Sequence, residues 1–197
     1  MDGNDPMPVS SRSKTRLTYD DFLLFPDDGK QHEIIDGVHY VTPSPNLRHQ
    51  ELIGRLHLAI GNYLATRRHV GRVFLSRLDV VMSYYDVVEP DLLFVGADQL
   101  DILTKANVEG APALVVEVLS PSTRKRDAGI KRQLFERAGV REYWLVDPDR
   151  DRVQVFRRNA EGSLSQGDEL TAAAHAALTS PLLPELSVPL DALFERW

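Results

Sequence analysis

Two stretches of the chain decide its fold: Glu89-Pro90-Asp91-Leu92-Leu93-Phe94-Val95 and Leu114-Val115-Val116-Glu117-Val118-Leu119-Ser120. In the second stretch, alternation along a strand places Glu117 on one face with Val115 and Leu119, while the other face is wholly apolar. Apolar residues on both faces are typical of a central strand that is covered on both sides. A buried carboxylate is costly unless it is paired, hydrogen-bonded or bound to a metal. Asp91 and Glu117, on neighbouring strands, therefore indicate a divalent-cation site.

The composition limits the class of protein. With 197 residues, 43% of them hydrophobic and 26% charged, the chain can form one well-cored domain, which we place at residues 16–197. The polar segment 1–15 is expected to be a disordered leader, and it lacks the apolar core of a signal peptide.

The absence of cysteine excludes disulfides, thiolate zinc sites and a cysteine nucleophile. No apolar run approaches the roughly 18 residues of a membrane span, so we expect no membrane association and a cytoplasmic location. A net charge of -6 weakens the expectation of a nucleic-acid partner without excluding it, because local basic clusters can still exist.

Local signals predict the order of helices and strands. Thr18 and Asp21 resemble a capping box that opens a short helix ended by Pro26. Asp36-Gly37 is a strong signal for a tight hairpin turn, since both turn positions need positive φ. The predicted elements after the short helix are a hairpin of strands 31–35 and 38–42, a long helix capped by Asn46 that continues to Gly71, strands 72–83, 88–95 and 113–119, a basic loop, a helix 127–138 ended by Gly139, strands 142–146 and 152–157, an irregular stretch 159–179 and a closing segment 182–197. This order predicts an α+β domain with a central mixed β-sheet flanked by helices.

The chain resembles a known family over roughly Thr18 to Arg157. The motifs that carry the resemblance are, in order, His32-Glu33-Ile34-Ile35-Asp36-Gly37, His49-Gln50, Glu89-Pro90-Asp91, Val116-Glu117-Val118-Leu119-Ser120-Pro121-Ser122-Thr123, Lys131 and Gly139-Val140-Arg141-Glu142-Tyr143-Trp144-Leu145-Val146-Asp147-Pro148. Single motifs are weak signals, but their combination in this order resembles the bacterial family of "putative restriction endonucleases" within the PD-(D/E)XK nuclease superfamily. The resemblance implies the restriction-endonuclease-like fold and metal-dependent hydrolysis of DNA phosphodiester bonds, with DNA as the partner and Mg²⁺ or Mn²⁺ as the cofactor.

The chain departs from the superfamily pattern at one position. That pattern places a lysine two residues after the second acid, where this chain has Leu119. Members resembling this chain carry the lysine on the following helix, which implies Lys131. If the helix packs over Glu117, the aliphatic stem of Lys131 can run along the helix face and bring its ammonium to the acids. The competing interpretation is an exposed i,i+4 pair of Asp127 and Lys131, which would contribute only a few tenths of a kcal/mol.

The predicted site combines acids, a lysine and basic contacts. The predicted catalytic residues are Asp91, Glu117, Lys131 and Glu33, and the predicted metal ligands are Asp91, Glu117 and Glu33, the last directly or through water. Glu33 could equally form an ordinary cross-strand ion pair. The predicted DNA contacts are His49 at the start of the long helix and the basic run Arg124, Lys125 and Arg126. Solvated polar side chains are the competing interpretation for these four residues.

Two other functional classes remain open at this point. The chain could be a nuclease-fold DNA-binding or scaffold protein that has lost cleavage, which the absence of a lysine at Leu119 favours. It could also be a component whose activity requires a partner or an oligomer. A homodimer is possible, with Tyr143 and Trp144 lying either in the core or in an interface.

Overall fold

Two mixed β-sheets and a two-stranded ribbon form the scaffold of this computed structural model. It describes residues 16–67 and 69–196, so the predicted leader 1–15 lies outside the described residues. The strands are β1 (Gln31–Ile35), β2 (Val38–Thr42), β3 (Gly71–Leu75), β4 (Val80–Ser83), β5 (Asp86–Val88), β6 (Leu92–Gly96), β7 (Val108–Glu109), β8 (Leu114–Val118), β9 (Glu142–Asp147), β10 (Arg152–Arg158), β11 (Leu164–Thr171), β12 (Ala177–Ser180) and β13 (Leu183–Pro189). The helices are α1 (Tyr19–Phe22), α2 (Leu47–Thr66), α3 (Arg124–Arg126), α4 (Arg132–Ala138) and α5 (Leu190–Phe194), with 3₁₀ turns at Ala97–Ile102 and Ala172–Ala174 and a π-helical turn at Asp127–Lys131 between α3 and α4.

The larger sheet has six strands in the order β11-β10-β9-β8-β6-β3, and only its β8–β9 pair is parallel. The smaller sheet has five strands in the order β2-β1-β5-β4-β7, with β4 and β7 parallel. Strands β12 and β13 pair with each other. The predicted α+β architecture with a mixed sheet flanked by helices is confirmed. Within the described ranges, no helix is long and apolar enough to cross a membrane.

Strand β8 lies between two apolar cores, as its sequence predicts. The side chains of Leu114, Val116 and Val118 pack in a core with α2 and α5. Those of Val115 and Leu119 pack in a second core with α4 and the five-stranded sheet. Glu117 is therefore a carboxylate on the face of β8 that points towards α4. Tyr143 and Trp144 of the adjacent strand are fully buried, so they belong to the core of this chain.

The local turn and cap signals are confirmed. The Thr18 side chain accepts a hydrogen bond from the backbone N–H of Asp21, and the capping box is complete. The hairpin turn has positive φ at Asp36 (52°) and Gly37 (73°), as a tight turn of this type requires. The Asn46 side chain accepts from the N–H of His49 at the start of α2. These signals are reliable because each depends on neighbouring residues alone.

The two predicted strands 72–83 and 88–95 are each wrong as single strands. The first contains both β3 and β4, which belong to different sheets. The second contains β6 and only the last residue of β5, Val88, and these two strands also belong to different sheets. Pro90 lies at the second break, where it has no N–H to donate to a ladder. The chain thus leaves the smaller sheet at Glu89 and enters the larger one just after Asp91.

The predicted irregular stretch 159–179 is also wrong in part, because it contains β11 and most of β12. β11 is an edge strand that pairs with β10 along its whole length, and most of its side chains are exposed, so its polar composition hides its structure. The predicted basic loop is helical as well. Residues 124–126 form α3, and the helical segment therefore begins before residue 127.

Candidate active site

Asp91 lies in the break between β5 and β6, and this break runs beside β8, the strand that carries Glu117. The antiparallel register pairs Leu92 with Val116, and one further step places Asp91 opposite Glu117. Asp91 Oδ2 accepts a hydrogen bond of 2.7 Å from the backbone N–H of Val118. Both carboxylates are nearly buried, with 7% and 4% of their surface exposed. The predicted pair of acids on neighbouring strands is thus present at one end of the β6–β8 ladder.

Lys131 lies at the centre of the acids. Its Nζ is 2.6 Å from Glu117 Oε1, 2.7 Å from Glu33 Oε1 and 3.9 Å from Asp127 Oδ1. Lys131 and Asp127 are both buried, so the interpretation of an exposed ion pair is wrong. The π-helical turn that contains both residues faces Glu117, and π-helical turns are frequent at functional sites. The catalytic role of Lys131 stays a prediction, but its ammonium is at the position that the role requires.

Glu33 joins this cluster from the other sheet. Its Oε1 accepts a hydrogen bond from the backbone N–H of Glu89, and its Oε2 is 3.4 Å from Arg126 Nη2. The ion pairs of Glu33 are therefore with residues of the helical segment 124–138, while its cross-strand neighbour on β2 is Tyr40. Its role as a metal ligand stays a prediction.

His49 contacts the acids at the start of α2. Its Nε2 is 3.0 Å from Asp91 Oδ2, and only 12% of its side chain is exposed. Its Nδ1 is buried and has no hydrogen-bond partner among the described residues. The capping of α2 by Asn46 sets where this first turn begins, and it thereby places His49 beside Asp91. A DNA contact by His49 would consequently occur inside the cavity.

The three residues of the predicted basic run have different environments. Arg124 forms a two-pronged ion pair with buried Asp147, at 2.7 and 3.1 Å. Arg126 is largely buried and donates to Thr42 Oγ1 at 2.5 Å. Lys125 is exposed. The run therefore combines a structural arginine, an arginine at the acids and a solvated lysine, and its contact with DNA stays a prediction.

Sequence reasoning missed two acids of this region. Asp127 is buried, and its Oδ1 has no hydrogen-bond partner within the described part of the chain. Glu89 is buried as well, and its Oε2 has no hydrogen-bond partner among the described residues, although Arg77 Nε lies 4.0 Å away. The spacing of Asp127 and Lys131 is the same for a buried pair as for an exposed one, so the sequence had no signal for burial there. The position of Glu89 in the Glu-Pro-Asp motif was a signal that could have been used.

The electrostatics follow from this burial. Burial raises the pKa of Glu117 well above its ordinary value. The nearby positive charge of Lys131 opposes this shift, while the negative charges of Asp91, Asp127 and Glu33 increase it. Burial also raises the pKa of Asp127. For Lys131, burial alone would lower the pKa, but the charges of Glu117, Glu33 and Asp127 outweigh it and raise the pKa. The raised pKa favours the protonated ammonium of Lys131, which can donate hydrogen bonds to the acids.

A cavity of about 220 Å³ gives access to the cluster. The ionisable side chains that line it are His49, Asp91, Glu117, Arg126, Asp127 and Lys131. A second cavity of about 320 Å³ adjoins it and shares His49 and Asp91. A small anionic group that enters the first cavity meets both cations and carboxylates.

The donor set suits a hard cation but is small. Carboxylate oxygens are the ligands that Mg²⁺ prefers, and this ion often uses only one or two of them and keeps several waters. Across residues 16–67 and 69–196, no three or more His, Cys, Asp or Glu side chains are arranged to hold one ion. Asp91 and Glu117 fit a site of the two-carboxylate kind. The bond that ties Glu117 to Lys131 uses Oε1, which leaves the second oxygen for a ligand.

The mixed sheets flanked by helices give the chain the restriction-endonuclease-like fold. A crystal structure described as that of a "putative nuclease" from Anabaena variabilis is similar, with a TM-score of 0.75 and 22% identity over 90% of this chain and 97% of that one. The comparison with curated proteins found no match. Residues 19–191 match the family described as "Putative restriction endonuclease", so the chain belongs to that family.

Proposed function

We propose that the chain is an Mg²⁺- or Mn²⁺-dependent endonuclease that hydrolyses phosphodiester bonds of DNA. The observation that carries the proposal is the convergence of Asp91, Glu117 and Lys131, from three separate elements, in one cavity. Pairing of this kind between buried acids and a lysine inside a cleft, with a raised pKa at Glu117, is common at catalytic sites. Membership of the family supports nuclease chemistry, and DNA is the substrate that such a family implies.

Each residue of the cluster has a separate task. Asp91 and Glu117 would hold the ion through oxygen atoms, and Glu33 would contribute directly or through a water. The bound ion would neutralise the phosphate and lower the pKa of a water. Lys131, held by Glu33 and Glu117, would orient the attacking water or offset charge on the scissile phosphate. Arg126 and His49 line the same cavity and would contact phosphate oxygens.

The test is Lys131→Ala, assayed on labelled DNA with Mg²⁺. Loss of one preorganised charge beside the transition state commonly costs on the order of a hundredfold or more in rate, which is the loss we expect. Metal binding should be at least as strong as in the wild type, because an ammonium is not a metal ligand. Lys105→Ala is the matched control, because it removes an exposed lysine that lines neither cavity.

Wild-type cleavage by Lys131→Ala would show that the lysine assignment is wrong. A second variant, Lys131→Ala with Leu119→Lys, tests whether the lysine has moved. Positions 117 and 119 lie on one face of the strand, so a lysine at 119 should return its ammonium to the acids and recover part of the cleavage.

The second candidate function is a nuclease-fold DNA-binding protein without cleavage. The observation that favours it is the small ligand set, since the described residues offer no group of three metal-ligating side chains. Calorimetry with Mg²⁺ and Mn²⁺ distinguishes the candidates, because a protein without cleavage can bind DNA without binding either ion. A homodimer stays a prediction under both candidates.

A further inference from the structure

The catalytic cluster lies at the bottom of its cavity and not on an open face. Asp91, Glu117 and Lys131 have 7%, 4% and 2% of their surface exposed. A phosphate can contact these groups only if it enters the cavity itself. With a volume of about 220 Å³, the cavity has room for a short piece of one backbone.

Two short segments form opposite walls of this cavity. One is the run from Thr42 to Asn46, in which Pro43 and Pro45 restrict the backbone through their rings. The other is the turn at residues 120–123, where Ser120 Oγ is 3.0 Å from the hydroxyl oxygens of both Ser122 and Thr123. A single flexible backbone can enter a cavity of this size more easily than a paired duplex can bring its phosphates to the acids at the bottom.

The second cavity extends the path for one strand. It has a volume of about 320 Å³ and shares His49, Asp91 and the Pro43–Pro45 segment with the first. Its far wall is formed by Ser76 and Arg77. The two cavities adjoin at Asp91, and together they are called the groove below.

Arg77 is a cation at the far end of this groove. Its side chain is 48% exposed. Its Nη2 is 3.2 Å from Asp27, which is 92% exposed, and its Nε is 4.0 Å from the buried Glu89. An exposed ion pair of this kind contributes little to stability, so a phosphate can replace Asp27 at small cost. Arg126 supplies the guanidinium beside the acids. Guanidinium groups bind phosphate oxygens through paired hydrogen bonds, so the groove has an anchor at each end.

We propose that the substrate of this site is a single DNA strand, unpaired over the groove, and that Arg77 positions it. The proposal rests on the proposed function for its chemistry. A narrow groove with separate cations suits one backbone better than two.

A binding experiment tests the proposal without cleavage. The Asp91→Asn protein is titrated with a fluorescent oligonucleotide, either single-stranded or annealed to its complement, and anisotropy gives the two Kd values. The single strand should bind at least tenfold more tightly. Equal or tighter binding of the duplex, or no binding of either, would overturn the proposal.

Cleavage of a forked duplex separates this proposal from the proposed function. With wild-type protein and Mg²⁺, cuts should map to the unpaired arms, while cuts within the paired stem would overturn the strand preference. If no DNA form is cut but the binding preference is present, the nuclease proposal fails and the single-strand proposal stands.

The role of Arg77 is tested with Arg77→Ala against Arg72→Ala. Arg72 is an exposed arginine of β3 that lines neither cavity, and it is the matched control. Arg77→Ala should raise the KM for single-stranded DNA severalfold and leave kcat, and the hydrolysis of bis(p-nitrophenyl) phosphate, unchanged, because this small diester needs only the first cavity. Equal effects of both variants on the KM would show that Arg77 has no positioning role.

Discussion

At the scale of single residues, the ionisation of Glu89 makes the stability of the protein depend on pH. Burial raises the pKa of Glu89 from 4.5 to about 7, and the charges of Asp79 and Glu33 add to the shift. Between these two pH values the folded protein holds a proton that the unfolded chain has released. Because the folded state then binds more protons, stability falls as pH rises through this window.

We therefore expect Glu89→Gln to stabilise the protein at pH 8 and to have little effect at pH 5. The gain should be on the order of 1 kcal/mol, since partial solvation and the nearby Arg77 reduce the full effect of the pKa shift. Urea unfolding of both proteins at the two pH values measures it. Equal stability of the two proteins at pH 8 would mean that Glu89 ionises normally.

Arg124 and Lys125 are neighbours with opposite expected effects. Arg124→Ala removes the two-pronged partner of buried Asp147 and should cost about 1.5–3 kcal/mol of unfolding free energy. Lys125→Ala should change stability by less than about 0.5 kcal/mol.

If Lys125 contacts a DNA phosphate, its loss should reduce the slope of log Kd against log salt by about one, and the slope should be unaffected by Arg124→Ala. A large loss of stability in Lys125→Ala, together with a reduced salt slope in Arg124→Ala, would contradict the structure.

At the scale of elements, the start of α2 connects helix capping to the site. Asn46 Oδ1 accepts from the N–H of His49 at 2.9 Å, and His49 contacts Asp91. Asn46→Ala should cost about 1 kcal/mol, while Asn46→Ser should retain most of the stability because serine is also a good cap. Thermal unfolding compares the variants, and an equal loss in both would mean that the side-chain cap is not what stabilises this end.

The elements that the sequence predicts well are those with local causes. The Thr18 capping box, the Asp36-Gly37 turn and the Asn46 cap each depend on residues within one turn of the chain. The breaks between β3 and β4 and between β5 and β6 were missed, because residues distant in sequence decide which sheet each strand joins. β11 was missed because pairing with β10, rather than its own composition, makes it a strand.

At the scale of the whole molecule, the site is formed by contact between the two sheets and the helical segment 124–138. Glu33 comes from the smaller sheet, Glu117 from the larger one, and Lys131 from the π-helical turn. The family resemblance indicated these residues. The burial of Glu117 follows from its own strand. The burial of Glu33 and Lys131 and the position of the two cavities could not be predicted, because they depend on packing between elements distant in the chain.

The central claim is that this cluster binds a catalytic divalent ion, and calorimetric titration with Mn²⁺ tests it most directly. Carboxylates that repel one another gain from a shared cation, so the wild type should bind Mn²⁺ at millimolar concentration or below. Asp91→Asn should weaken this binding strongly, and Lys131→Ala should leave it at least as strong as in the wild type. No heat of binding from the wild type, or equal binding by Asp91→Asn, would contradict the account.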